Sequence, residues 1–124
     1  MPARVYVVDA TKQEQLKKLV EYDPYLDKSL DNEALAKLRG DELANVIIAR
    51  QTYKIREGAL LNLDRSKSYL YISATEEFLV KAEKKLKAGI PEIKRVDPEI
   101  EKKIIASIDE EQSKAESGFG FIFG

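Results

Sequence analysis

Apolar and polar positions alternate along the chain with two different periods, and the switches between them mark the elements. Arg4–Asp9 (RVYVVD) is a short β-branched and aromatic run that reads as a buried strand. Leu16, Leu19 and Val20 then recur at helical spacing. Ahead of them, Thr11-Lys-Gln-Glu14 matches a capping box, in which Thr11 and Glu14 satisfy each other's free amides. Pro24 ends this helix near Tyr22, because the residue before a proline is biased away from the α region. A second helix is expected after Asp31, with Ala34, Leu35 and Leu38 on its stripe and Gly40 as terminator. Asp41–Ala44 adds one more turn.

Asn45 to Arg56 is the longest β-like stretch. As a strand it places Val46, Ile48, Arg50, Thr52, Lys54 and Arg56 on one face, and Ile47, Ala49, Gln51, Tyr53 and Ile55 on the other. Gly58 marks a turn and Asp64–Lys67 a polar break. Tyr69–Ser73 is a further strand, tyrosines on one face, Leu70 and Ile72 on the other. Ser73-Ala-Thr-Glu76 forms a second capping box before a helix with Phe78, Leu79, Ala82 and Leu86 inward. Gly89 stops that helix, and Pro91 opens a short strand, Ile93–Val96. Asp97-Pro98 places an N-cap before a proline at the first helical position. Ile100, Ile104, Ile105 and Ile108 stripe a last helix that runs out near Ser117. The tail GFGFIFG alternates Phe119, Phe121 and Phe123 with glycine and Ile122, which fits a short strand with one aromatic face.

Without the last helix and tail, the order is β-α-β-β-α-β, the split βαβ pattern of ferredoxin-like sandwiches. The fold expected is α+β: a two-layer ferredoxin-like sandwich with an extra C-terminal helix and a short Gly/Phe tail strand. At 124 residues the length fits a single domain, with a sandwich core over 1–96, a C-terminal helix over 97–117 and an apolar tail over 118–124. The rival architecture is another α+β sandwich in which the tail is an integral strand.

Composition narrows function mainly by exclusion. The chain contains no histidine and no cysteine. Ser-His and Cys-His catalysis, cysteine- or histidine-ligated zinc, iron–sulfur clusters and disulfides are therefore ruled out. Lys+Arg 21 against Asp+Glu 22 gives a net charge of −1, not the basic field that sequence-independent nucleic-acid binding needs. High Lys and Glu, with no Trp and one Met, tilts toward a thermophilic source. No apolar run approaches the ~20 residues that span a bilayer. The N-terminus lacks the basic-then-apolar layout of a signal peptide, so a cytoplasmic protein without membrane contact is expected.

The interaction candidates fall in two groups. Tyr69 and Tyr71, beside Arg50, Lys54 and Arg56 on the neighbouring strand, resemble an RNA-stacking sheet face, although no segment carries the RNP1 pattern. The plainer expectation is that these tyrosines pack under the C-terminal helix or in a dimer. The Ile stripe must likewise be buried, in its own subunit or a second one. Phe119, Phe121 and Phe123 would be an aggregation hazard if exposed, so they are expected to pack in the chain or against another subunit, with an exposed recognition tail as the remaining alternative. The carboxylates at Asp23, Asp27 and Asp31, at Asp97, Glu99 and Glu101, and at Asp109, Glu110 and Glu111 lack EF-hand spacing and read as caps and solvated faces. Arg65-Ser-Lys-Ser68 offers a basic turn for a phosphate. Neither a catalytic residue, a cofactor nor a metal site is expected. The function expected is a non-catalytic, homo-oligomeric (in the simplest case homodimeric) binding, regulatory or accessory module, with a small-molecule ligand open. The alternatives are an RNA-binding domain using the tyrosine face, or an enzyme using carboxylate and lysine chemistry in an interface pocket.

Overall fold

The computed structural model describes the backbone of residues 1–123 and the side chains of residues 1–114. Four strands, β1 (Ala3–Asp9), β2 (Thr52–Glu57), β3 (Lys67–Ser73) and β4 (Lys94–Arg95), form one sheet. Its order is β2-β3-β1-β4, and every neighbouring pair is antiparallel. Four helices accompany it: α1 (Gln13–Glu21), α2 (Asn32–Arg39), α3 (Glu76–Gly89) and α4 (Pro98–Phe123). The fold is thus mixed α+β with four helices.

Period-two alternation in the central strands divides the core in two. Tyr6 and Val8 of β1, with Leu70 and Ile72 of β3, meet Leu16 and Val20 of α1 and Leu79, Ala82 and Leu86 of α3. Val5, Tyr69 and Tyr71 point the other way and are buried with Ile104 and Ile108 of α4. The Ile stripe of α4 therefore covers the second sheet face within the same chain, so helices flank the sheet on both sides. Each fully buried isoleucine contributes about 1.5–3 kcal/mol to this closure.

Several local expectations differ from what is found. Thr11 does not form a capping box. Asp9 Oδ1 accepts the Thr11 N–H at 3.0 Å and its hydroxyl at 2.8 Å, which turns Ala10–Lys12 into a 3₁₀ turn before α1. An aspartate two residues upstream is a better local acceptor for that amide than a glutamate reaching back. Ser73 is held in β3, opposite Ala3 and Thr52, so the cap of α3 passes to Thr75, whose hydroxyl accepts the Phe78 N–H at 3.2 Å.

The long strand over 45–56 shrinks to Thr52–Glu57. Val46, Ile47 and Ile48 are all buried, which a half-exposed strand with alternating faces does not allow. They plug the core as an irregular segment, followed by a 3₁₀ turn at Ile48–Arg50. The tail strand is also replaced: the backbone stays helical from Pro98 through Phe123, past the expected end near Ser117. A strand must find an edge for its amides, whereas a helix satisfies its own. The side chains of Phe119, Phe121 and Phe123 lie outside the described residues.

Gly58 sits where only glycine fits. A Cβ there would stand 1.8 Å from the Asp64 carbonyl oxygen. This close approach lets the Leu63 N–H donate to the Gly58 carbonyl at 2.8 Å, with Asn62 in the left-handed region at φ 57°.

Candidate functional site

The register places the basic and aromatic candidates together in part. Lys54 pairs with Tyr71, and Arg56 with Tyr69, so these four share the α4 side of the sheet. Both rings are closed over, Tyr69 being 7% and Tyr71 6% exposed. A base could stack on them only if α4 left the sheet. Arg56 donates to both carboxylate oxygens of Glu111 at 3.4 Å and to the Ile55 carbonyl at 3.1 Å, fastening α4 across β2.

Arg50 does not join them. It lies in the 3₁₀ turn before β2, donating to Asp23 at 2.9 and 3.3 Å with its guanidinium 5.4 Å from the Tyr25 ring centre. The β-like reading of 45–56 had carried Arg50 onto the strand face. The Arg50 hydrogen bond holds the Asp23 carboxyl below the usual range. The other two spaced carboxylates each serve their own turn. Asp27 accepts from Ser29 and from the Tyr22 hydroxyl, and Asp31 caps α2 at the Ala34 N–H. Among the described residues no group of three acidic side chains could hold a metal ion. At the basic turn, Asp64 takes the Ser66 hydroxyl at 2.6 Å and Gln13 takes the Ser68 hydroxyl at 2.6 Å. Glu14 and Glu57 line the adjoining hollow, so it has mixed charge.

A groove of about 310 Å³ between α1 and the end of α3 has a different character. Gln15, Lys18, Leu19 and Tyr22 supply one wall. Their i, i+3, i+4, i+7 spacing puts them on a single stripe of α1 and its last turn. Lys85, Gly89 and Ile90 supply the other. The helices approach closely at Gly89, where a Cβ would lie 2.9 Å from the Leu19 Cδ2. Gln15 ties the walls together by donating to the Gly89 carbonyl at 3.2 Å. Ile90 is fully buried beneath, while Tyr22 remains 46% exposed at one end.

Lys85 lines this groove and donates from Nζ to the Val46 carbonyl at 2.6 Å. Burial lowers its pKa, and the nearby Asp41 and Asp23 only partly offset that effect. The groove thus combines apolar walls with two lysines. Such walls can hold an apolar body, and ammonium groups can hold an anion.

The sequence held the pieces of this groove without showing it. Leu19 read as core, Tyr22 as a helix end and Gly89 as a terminator. Only the docking of α1 on α3 puts them together. The chain matches no family model, no curated protein and no solved structure.

Proposed function

We propose that this chain is a non-catalytic, homo-oligomeric binding module of the cytoplasm, built on a ferredoxin-like sandwich whose open sheet face is closed by α4. The strand order β2-β3-β1-β4, antiparallel throughout, with α1 following β1 and α3 following β3, supports the ferredoxin-like reading. The observation that carries the binding role is the α1/α3 groove, whose volume of about 310 Å³ is at the small end of ligand sites. The oligomeric part rests on composition: Phe119, Phe121 and Phe123 within the last six residues are an apolar load suited to a subunit contact.

A thermal-shift screen of small metabolites tests the binding role, run on the natural chain and on Gly89→Leu, which pushes a side chain against Leu19 in the groove. A ligand at a hundredfold excess over its Kd stabilises by about 2.7 kcal/mol. The module predicts a compound that raises the Tm of the natural chain and not that of Gly89→Leu. Equal shifts in both would move the ligand elsewhere and overturn the groove as its seat.

A further inference from the structure

We infer that the outer edge of β2 takes up an extended peptide as a fifth, antiparallel strand, and that the peptide it fits alternates acidic and apolar residues. The site lies on a different face of α1 from the α1/α3 groove and goes beyond the binding role proposed above. The hydrogen-bond phase of the sheet carries it. The Ala74 N–H donates to the Pro2 carbonyl at 3.1 Å, in step with the β1–β3 register. Main-chain groups alternate sides along an antiparallel strand, so Ser68, Leu70 and Ile72 face β1, and Tyr69, Tyr71 and Ser73 face β2. Their partners on β2 are Arg56, Lys54 and Thr52. Tyr53, Ile55 and Glu57 therefore turn their N–H and C=O groups outward. Among the described residues those groups meet one partner, the Arg56 guanidinium on the Ile55 carbonyl at 3.1 Å. The opposite edge is closed: Val5 gives its N–H to Glu101 and its carbonyl to the Val96 N–H. An open row of main-chain donors and acceptors is a template for another strand.

The side chains at this edge define the occupant. Tyr53 and Ile55 pack on the α1/α3 side of the sheet, beside a hollow of about 390 Å³ that α1 borders with Gln13, Lys17 and Glu21. Lys54 and Arg56 stand on the α4 side. Residues directly opposite in an antiparallel pair share a face, so an added strand sets apolar residues against Tyr53 and Ile55 and acidic ones against Lys54 and Arg56. Its N–H takes the Ile55 carbonyl from Arg56 and its carboxylate gives Arg56 a partner in exchange. A second copy of β2 fits poorly. Two-fold pairing centred on Lys54 opposes Lys54 to itself, and pairing centred on Ile55 opposes Lys54 to Arg56, and like charges directly opposite are destabilising.

Amide chemical-shift titrations of the full chain with two blocked heptapeptides test this, one alternating valine and glutamate, the other valine and lysine. The glutamate peptide is expected to move the amides of Thr52–Glu57 saturably and to slow hydrogen exchange at Tyr53 and Ile55. The lysine peptide should bind about tenfold more weakly, as two like-charge pairs replace two opposite ones. Lys54→Glu should narrow or reverse that preference. A glutamate peptide N-methylated at its valines keeps every side chain but loses the N–H groups that reach β2, and should not bind. Equal affinity for the two peptides would overturn the acidic preference. Binding retained by the N-methylated peptide would overturn strand addition, since side chains alone would then hold it. Shifts at Thr52–Glu57 that grow with protein concentration in the absence of peptide would give the edge to a second copy and overturn the peptide as its occupant. No saturable shift with either peptide would overturn the site.

Discussion

The carboxylate of Glu101, in the first turn of α4, accepts the backbone N–H of Val5 at 3.1 Å across 96 positions of sequence. β4 pairs with β1 only at Tyr6 and Val7, so Val5 lies just past the paired stretch. Glu101 caps the amide that the short strand leaves over, and its other contacts hold Arg95 of β4 at 3.0 and 3.1 Å. One side chain thus joins helix, central strand and edge strand.

Glu101→Ala should therefore cost about 2 kcal/mol, because a part-buried amide and a guanidinium each lose a charged partner. Glu101→Gln, which keeps an acceptor for Val5, should cost less. Urea unfolding of the two variants measures the difference. Burial by itself would raise the Glu101 carboxyl, but Arg95 and the Val5 amide outweigh it and hold it below the usual range. A depressed carboxylate contributes stability that is complete above its ordinary pKa and is lost as pH falls through the lowered one. The natural chain should thus lose stability at acidic pH more steeply than Glu101→Gln.

Gly58→Ala should be among the most damaging single changes in the chain. Its Cβ would fall 1.8 Å from the Asp64 carbonyl oxygen and 2.7 Å from the carbonyl carbon, and backbone cannot swing aside as a side-chain tip can. A loss of about 3 kcal/mol or more is expected. Gly89→Ala meets only the movable end of Leu19, so its cost should be far smaller. Thermal unfolding of the two variants side by side gives the contrast.

Tyr6 should titrate late. It is fully buried, its hydroxyl donates to Glu83 Oε1 at 3.1 Å, and burial pushes its pKa up to about 12. A tyrosine raised above its unfolded value contributes stability below pH ~10 that disappears as pH climbs toward its folded pKa. Phenolate absorbance followed against pH should show a last step coinciding with unfolding. Tyr6→Phe should remove that step and flatten the alkaline loss of stability.

Ile108→Ala should destabilise by about 2–5 kcal/mol and loosen α4 from Tyr69 and Tyr71. Ile105→Ala, at a half-buried position on the edge of the same stripe, should cost less. Increased tyrosine quenching by acrylamide in Ile108→Ala, and not in Ile105→Ala, is the expected signature.

The elements that could be read in advance are those whose period is clean over several turns. The Ile100–Ile108 stripe, the Leu70/Ile72 and Tyr69/Tyr71 division of β3, the cap at Asp31 and the helix start at Pro98 belong here. Their local pattern and their tertiary burial agree. Val46–Ile48 could not be read, because three consecutive apolar residues suit a strand and a core plug equally well. The capping box expected at Thr11 gave way to Asp9, which holds the 3₁₀ turn Ala10–Lys12 ahead of α1, one local acceptor winning over another. Arg50 misled for a similar reason: its partners, Asp23 and Tyr25, lie across the fold. The groove was the least legible of all, since no segment contains it and it exists only once α1 lies beside Gly89.

Native mass spectrometry of gently purified, untreated protein tests the central proposal most directly. A homo-oligomeric binding module predicts species at whole multiples of 14.1 kDa above the first, carrying a small excess mass that Gly89→Leu abolishes. A bare monomer at 14.1 kDa, with no excess mass in either protein, would contradict both the assembly and the retained ligand.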